Sequence, residues 1–246
     1  LWAAAAVVLI AVVASVRVEC APAPNCDPRS LHFAWSSHSS STDVDAQRSA
    51  ASPAGDAFER EWLSRRRLPV PSVPGAKVTV VMFIDWQCPA CRAAERAYGA
   101  VFADVARRMP GAVKVVMKDY PLNIRCNPNV PVEMHAAACE AAVAVRLARE
   151  HGTADAMIAW LFANQETLTP ASVAQAAASV GAVTDFSART AAVLRDVARD
   201  VSEGRGLEVG GPPACFINGV LARNDNGRSL FSPEEIRRAI DVELKR

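Results

Sequence analysis

The segment that decides the fold is Val78-Thr-Val-Val-Met-Phe-Ile-Asp-Trp-Gln-Cys-Pro-Ala-Cys91, in which an apolar run leads into two closely spaced cysteines. The run over residues 78–84 is rich in β-branched side chains and has the length of a strand that is buried on both faces. Residues 91–108 then carry apolar side chains at helical spacing. A second apolar run over residues 113–117 completes a strand–helix–strand unit.

Downstream of this unit, the sequence changes to an Ala-rich stretch with helical spacing over about residues 132–204. We expect Gly152, Pro170 and Gly181 to divide this stretch into several helices. The folded domain is therefore expected over residues 77–246, with the helical stretch as an insertion.

The C-terminal part of the chain shows a hairpin and a final helix. Short apolar runs over residues 215–217 and 220–222 flank Asn218-Gly219, a pair typical of tight β-hairpin turns. Ser232-Pro233 predicts the cap and first position of a helix that runs to residue 244. The order βαβ, helical region, ββα predicts an α/β, thioredoxin-like fold with an inserted helical subdomain.

The composition limits the classes of function. Hydrophobic residues make up 51% of the 246 residues and charged residues 22%, so the chain can bury a core and is not expected to be disordered. The net charge is +1, which leaves no basic excess for binding phosphates. We therefore expect no nucleic acid among its partners. The seven cysteines indicate redox or metal chemistry instead.

The N-terminus is the most apolar part of the chain, because residues 1–16 contain no charge. Sixteen helical residues fall short of a hydrocarbon core of roughly 30 Å. We favour a transmembrane helix or signal anchor over residues 1–18, truncated at its N-terminal end. A cleaved secretory signal peptide and a buried core helix remain alternatives. Either of the first two interpretations places the rest of the chain outside the cytoplasm, where disulfides persist.

Residues 19–76 are expected to form a Pro/Ser-rich linker, because this composition buries too little apolar surface to fold alone. One exception is a short amphipathic helix over residues 55–67, with Phe58 and Trp62 on its apolar face, which can rest on the domain or on a membrane. Cys20 and Cys26 lie in the linker, and they can pair locally, exchange with a membrane partner or remain free.

The pair Cys88-Pro89-Ala90-Cys91 carries the chemistry, because it opens the helix after the first strand. The unpaired N–H groups and the dipole of a helix N-terminus favour a thiolate, which makes Cys88 the expected nucleophile. Cys91 lies one turn further in and is expected to resolve a mixed disulfide formed at Cys88. Pro89 costs little at this position, since its N–H would be unpaired anyway. A permanent structural disulfide and half of a metal site are the alternatives.

The remaining cysteines suggest a second, structural role. We favour a disulfide between Cys126 and Cys139 that ties the loop after the second strand to the helical region. Free buried thiols are one alternative, and a zinc site that also uses His135 is another. His135 taken alone is more typical of an ordinary surface or core histidine. Cys215 lies within a predicted strand and is expected to be an inert buried thiol.

Several motifs together resemble DsbA-like thioredoxin-fold oxidoreductases. The likeness is closest to the thioredoxin-like domain fused to bacterial vitamin K epoxide reductase homologues, and it covers about residues 77–246. The motifs that carry it are Phe83–Arg92, Lys118-Asp-Tyr-Pro-Leu-Asn123, Cys126-Asn-Pro128, His135-Ala-Ala-Ala-Cys-Glu-Ala-Ala142, Trp160-Leu-Phe-Ala-Asn-Gln165, Leu168-Thr-Pro170 and Phe216-Ile-Asn-Gly-Val220.

The resemblance implies a protein disulfide oxidoreductase that works through its redox-active disulfide without a bound cofactor. The implied substrates are secreted or periplasmic proteins that contain cysteines. A membrane protein of the vitamin K epoxide reductase type, possibly in the same polypeptide, would return electrons to quinone. The implied location is the cell membrane, with one span here and the catalytic domain on the extracytoplasmic, periplasmic side.

The resemblance also implies a cis-proline beside the redox pair, and Pro213 matches that position. The preceding residue departs from the family, because Pro212 has no N–H to pair with a bound substrate strand. Met82 replaces the buried acid that many thioredoxins carry six residues before the first cysteine. Asp85 or Lys118 can take over proton transfer, or both can be solvated charges at strand ends.

We therefore predict a thiol–disulfide oxidoreductase with Cys88, Cys91 and Pro213 as catalytic residues. The supporting residues are Asp85, Trp86, Pro89, Ala90 and Pro212. A reductase or isomerase of the same fold is the first alternative. A thiol-based metal-binding module and a non-catalytic interaction domain are two further alternatives, although no metal ligand set is predicted.

Overall fold

A computed structural model describes residues 53–224 and 229–246 of the chain. The predicted membrane helix over residues 1–18, most of the predicted linker, Cys20 and Cys26 lie outside the described residues. Among the helices of the described ranges, none combines the length and apolar character needed to cross a bilayer.

The fold is a four-stranded sheet with helices around it, and its elements follow one another in the predicted order. The sheet has the strand order β2-β1-β3-β4, in which β1 is parallel to β2 and antiparallel to β3. This is the predicted α/β, thioredoxin-like architecture. The elements are α1 (Pro53–Ser64), β1 (Val78–Ile84), α2 (Pro89–Arg108), β2 (Val113–Asp119), α3 (Ala138–Glu150), α4 (Ala154–Ala163), α5 (Pro170–Ser179), α6 (Phe186–Gly206), β3 (Ala214–Ile217), β4 (Val220–Leu221) and α7 (Pro233–Lys245).

The central strand β1 positions the redox pair. All seven of its residues are buried, as the β-branched run predicts for a strand covered on both faces. Val78 to Ile84 pair with Val113 to Asp119 of β2 on one side, and residues 80–83 pair with β3 on the other. The C-terminal end of β1 is therefore held rigidly where the chain turns into α2.

The helical subdomain consists of α3 to α6, but the predicted helix over residues 132–137 is wrong. These residues instead pair with the loop after β2: the N–H of Ile124 donates to the carbonyl of Val132 (3.2 Å), and the N–H of Met134 donates to that of Leu122 (3.0 Å). Backbone groups engaged across such a ribbon cannot also form helical hydrogen bonds. The helix consequently begins only at Ala138.

The hairpin and the final helix form as predicted. Asn218 (φ 45°) and Gly219 (φ 84°) both have left-handed backbone conformations, which a tight hairpin turn requires. A side chain at position 219 would collide with the backbone of Leu68. Ser232 and Glu235 form a capping box at the start of α7, with proline at the first helical position.

Helix α1, which overlaps the helix predicted over residues 55–67, lies on the domain. Trp62 is only 1% exposed, and its indole N–H donates to the carboxylate of Glu243 in α7 (2.7 Å). Arg67 binds the same carboxylate (2.6 Å). The ring of Phe58 packs against Phe231, the residue that precedes the cap of α7. Part of the sequence assigned to the linker thus contributes to the apolar core.

Candidate active site

Cys88 lies at the junction of β1 and α2. Its backbone is extended (φ −79°, ψ 123°) at the N-cap of α2, and Pro89 follows in the first turn. The Cys88 N–H donates to the carbonyl of Asp85 (3.0 Å), and the Cys88 carbonyl accepts from the N–H of Arg92 (3.1 Å). This turn holds the thiol at the positive end of the helix dipole, where free N–H groups favour a negative charge.

The two thiols of the pair, both reduced in this structure, differ strongly in ionisation. A hydrogen bond from the Cys91 thiol lowers the pKa of Cys88, and the backbone N–H groups of Cys91 and Ala90 lower it further. Burial raises this pKa, but the net result is a fall to about 6. Cys91 is fully buried, and burial raises the pKa of its thiol far above the usual range. At neutral pH, Cys88 is therefore a thiolate and Cys91 a thiol.

Pro212 and Pro213 lie beside the pair and are joined by a cis peptide bond. The carbonyl oxygen of Pro212 is 4.0 Å from the sulfur of Cys88. Next to them is a groove of about 640 Å³, bordered by the small side chain of Ala90 and by the backbone of Gly211. The groove is mainly apolar, so it can accept an extended peptide whose cysteine reaches Cys88.

Asp85 is a buried carboxylate rather than a solvated charge at a strand end, since it is 1% exposed. Its oxygens accept hydrogen bonds from the N–H groups of Gln87 (2.7 Å) and Leu122 (2.7 Å). The imidazole of His135 lies 2.8 Å from the same carboxylate. The sequence treats His135 as an ordinary histidine or a zinc ligand, and no signal in the sequence links it to Asp85.

Two further side chains hold the turn around Cys88 in place. The amide of Gln165, from the helical subdomain, donates to the Cys88 carbonyl (2.8 Å). Its own oxygen is buried and has no partner among the described residues. The indole N–H of Trp86 donates to the carboxylate of Asp119 (2.8 Å). Gln165 belongs to a motif that the resemblance uses, but the sequence alone gives it no role.

Lys118 is engaged away from the redox pair. Its ammonium group lies 3.0 Å from the carboxylates of both Asp200 and Glu203 in α6. Arg146 of α3 binds the carboxylates of Asp119 and Asp200. This partly buried cluster joins the sheet to the helical subdomain, so we assign Lys118 a structural role instead of the suggested role in proton transfer.

A disulfide joins Cys126 and Cys139, with the Cα atoms 5.9 Å apart. It connects the loop after β2 to α3. Because both sulfurs are used in this bond, they cannot serve as thiolate ligands, and His135 is bound to Asp85, so the zinc alternative does not fit. Within the described ranges, no three His, Cys, Asp or Glu side chains are grouped as a metal site requires. Cys215 is fully buried, and burial raises the pKa of its thiol to about 12.

Comparison with known proteins agrees with this architecture. Residues 73–242 match the family model described as thioredoxin. No curated protein is significantly similar to the chain in sequence.

Three solved structures illustrate the similarity of the fold. A thioredoxin-like oxidoreductase from Silicibacter pomeroyi is 22% identical, with a TM-score of 0.52 over 72% of this chain and 92% of that one. A DsbA variant from Pseudomonas aeruginosa is 19% identical, with a TM-score of 0.52 over 73% and 91%. A variant of α-DsbA1 from Wolbachia pipientis is 13% identical, with a TM-score of 0.51 over 76% and 96%. The chain belongs to the thioredoxin family and has the fold of DsbA-like thiol–disulfide oxidoreductases.

Proposed function

We propose that the protein is an extracytoplasmic thiol–disulfide oxidoreductase that transfers the Cys88–Cys91 disulfide to cysteine-containing secreted proteins. The observation that supports this most is the contrast between the two thiols. Cys88 has a pKa of about 6, whereas Cys91 is fully buried and stays protonated. A stable structural disulfide would need no such contrast.

The exchange proceeds in two steps. A client thiolate attacks the sulfur of Cys88, the Cys88–Cys91 bond breaks, and Cys91 leaves and takes up a proton. A second client thiolate then attacks the mixed disulfide, and Cys88 leaves as the thiolate that its site stabilises. The client is oxidised by two electrons, and the protein is left with both thiols reduced.

The groove beside Pro212 and Pro213 is where we propose that the client binds. An extended peptide that lies against Pro212 would bring its cysteine to the Cys88 sulfur. Because Pro212 has no N–H, this position offers its carbonyl only, and that carbonyl already lies 4.0 Å from the Cys88 sulfur. Apolar contacts with the groove would therefore contribute more to binding than strand pairing does.

Reoxidation requires an electron acceptor, and we propose a membrane quinone reductase of the vitamin K epoxide reductase type, in the same polypeptide or a separate one. The apolar residues 1–16 favour a membrane attachment for the domain. A disulfide on such a partner would accept the attack of the Cys88 thiolate. Cys91 would then release the partner by resolving the bond.

Trapping tests the proposed roles of the two cysteines. Cys91→Ser lacks only the resolving thiol, so its Cys88 thiolate should attack disulfide-containing client peptides, release one peptide thiolate and accumulate as mixed disulfides, detected by non-reducing electrophoresis and mass spectrometry. Cys88→Ser is the matched control and should trap nothing. If Cys88→Ser forms the adducts and Cys91→Ser does not, the roles are reversed; if neither variant exchanges and the wild-type disulfide is inert, the protein is not an oxidoreductase.

The direction of electron flow is tested separately by the reduction potential of the pair. Oxidation of clients requires a potential above that of the client dithiols, whereas a reductase has a potential near that of thioredoxin, about −270 mV. A value at or below that level would support the reductase alternative.

A further inference from the structure

The loop that follows β2 brings an imidazole to the redox pair from a distant part of the sequence. His135 lies 2.8 Å from the Asp85 carboxylate, although the two residues are 50 positions apart. The Leu122 N–H, from the start of the same loop, binds that carboxylate too. The disulfide between Cys126 and Cys139 closes the loop on either side of His135.

The backbone of Asp85 is hydrogen-bonded to both cysteines of the redox pair. Its backbone N–H donates to the Cys91 sulfur (3.4 Å), and its carbonyl accepts from the Cys88 N–H (3.0 Å). Its carboxylate is buried three residues before Cys88. A bare negative charge at this place opposes the formation of a thiolate, and its interaction raises the pKa of both cysteines.

We propose that His135 is a positioning residue of the redox pair, which holds the Asp85 carboxylate in place and shields the Cys88 thiolate from its charge. The Pro-Ala dipeptide between the cysteines carries no charge of its own. A positive charge that favours the thiolate would therefore come from another part of the fold, from a protonated His135 beside Asp85. A cation next to the carboxylate leaves the pair nearly neutral at the distance of the sulfurs.

The surroundings of His135 favour the charged form of its imidazole. The hydrogen bond to Asp85 raises the pKa of His135 above its usual value, against an opposing effect of burial, and the negative charge of Cys88 adds to the rise. Three titratable groups interact with Asp85, namely His135 from the loop, Cys88 at the N-cap of α2 and Cys91 in α2. The nearby Arg125 is bound to Glu140 instead.

The test measures the ionisation of Cys88, which does not depend on whether clients or a partner exist, so its failure is distinct from failure of the proposed oxidoreductase function. The rate of alkylation of reduced protein is followed against pH, and the thiolate absorbance is followed in parallel. His135→Gln should raise the pKa of Cys88. A rise of one unit lowers the thiolate fraction about tenfold at a pH below the pKa.

Repeating His135→Gln in an Asp85→Asn variant tests whether the effect of His135 on Cys88 depends on the Asp85 carboxylate. Asp85→Asn keeps one oxygen, which can accept from either the Gln87 or the Leu122 N–H, and removes the charge, so it should lower the pKa of Cys88. In that background, His135→Gln should no longer raise it, since no carboxylate remains to be shielded. His151→Gln, at an exposed histidine after α3, is the matched control and should change neither profile.

The outcomes separate shielding from a purely structural role. A shift with His135→Gln that disappears in the Asp85→Asn background supports the proposal. An unchanged pH profile, even with a lowered melting temperature, overturns it. A shift of the same size in both backgrounds overturns it as well, because the effect would not then pass through Asp85.

Discussion

The most direct prediction concerns the hydrogen bond that the Cys91 thiol donates to the Cys88 thiolate. This bond is the largest cause of the lowered pKa of Cys88. A hydrogen bond to a charged group contributes about 1.5–3 kcal/mol, and one pKa unit corresponds to about 1.4 kcal/mol. Cys91→Ala should therefore raise the pKa of Cys88 from about 6 to about 7–8.

Cys91→Ser is the matched variant, because its hydroxyl can donate to the same sulfur. Its Cys88 pKa should stay closer to that of the wild type than the value for Cys91→Ala does. The assay is the pH dependence of thiolate absorbance in the reduced protein, checked by the rate of alkylation with iodoacetamide. Since Cys215 is buried with a pKa of about 12, it should not contribute near neutral pH.

The result that would refute this reasoning is a Cys88 pKa that stays near 6 in Cys91→Ala. The backbone N–H groups at the start of α2 would then stabilise the thiolate by themselves. Equal upward shifts in Cys91→Ala and Cys91→Ser would also contradict it, since only one of the two variants lacks a donor.

Two other predictions concern the structural disulfide and the cis-proline turn. Replacing Cys126 and Cys139 by serine should cost about 3 kcal/mol of unfolding free energy, from the closure entropy of a short loop, with exchange activity retained. Denaturant titration measures this cost, and peptide mapping of non-reduced wild-type protein that finds both Cys126 and Cys139 as free thiols would contradict the premise. Pro212→Thr restores an N–H, so client peptides should bind up to about tenfold more tightly, as measured by peptide titration. Unchanged or weaker binding, together with a lower melting temperature, would show that Pro212 instead acts by pre-shaping the turn.

Local sequence signals predicted the parts of the fold that depend on local physics. The β-branched run became a fully buried strand, the turn pair Asn218-Gly219 adopted the two left-handed conformations, and Ser232 capped the last helix. The position of Cys88 at a helix start could likewise be inferred from the strand before it and the helical spacing after it.

The errors and omissions depend on contacts between distant residues. The helix predicted from residue 132 fails at its start because residues 132–135 pair with the loop around residue 123. The spacing of apolar residues in the sequence cannot show that these backbone groups form hydrogen bonds with a distant loop instead of within a helix. The sequence left Asp85 as either a group for proton transfer or a solvated charge at a strand end, and only the fold shows that Leu122 and His135 bind its carboxylate. Trp62 was expected on a short helix that rests on the domain or on a membrane, and only the fold identifies its partner, Glu243, 181 positions away.

The ionisation of Cys88 bears on the direction of exchange, but its contribution at neutral pH is limited. The pKa of Cys88 is lowered from 9.0 to about 6, so pH 7 lies one unit above it and the thiol is mostly ionised. This ionisation stabilises the reduced form of the protein by about 1.4 kcal/mol. For a two-electron couple this raises the reduction potential by about 30 mV. A gain of that size favours a moderate oxidant. The net flow of electrons from clients therefore depends mainly on the partner that reoxidises Cys88 and Cys91, and this is why the proposed function includes a quinone-linked acceptor.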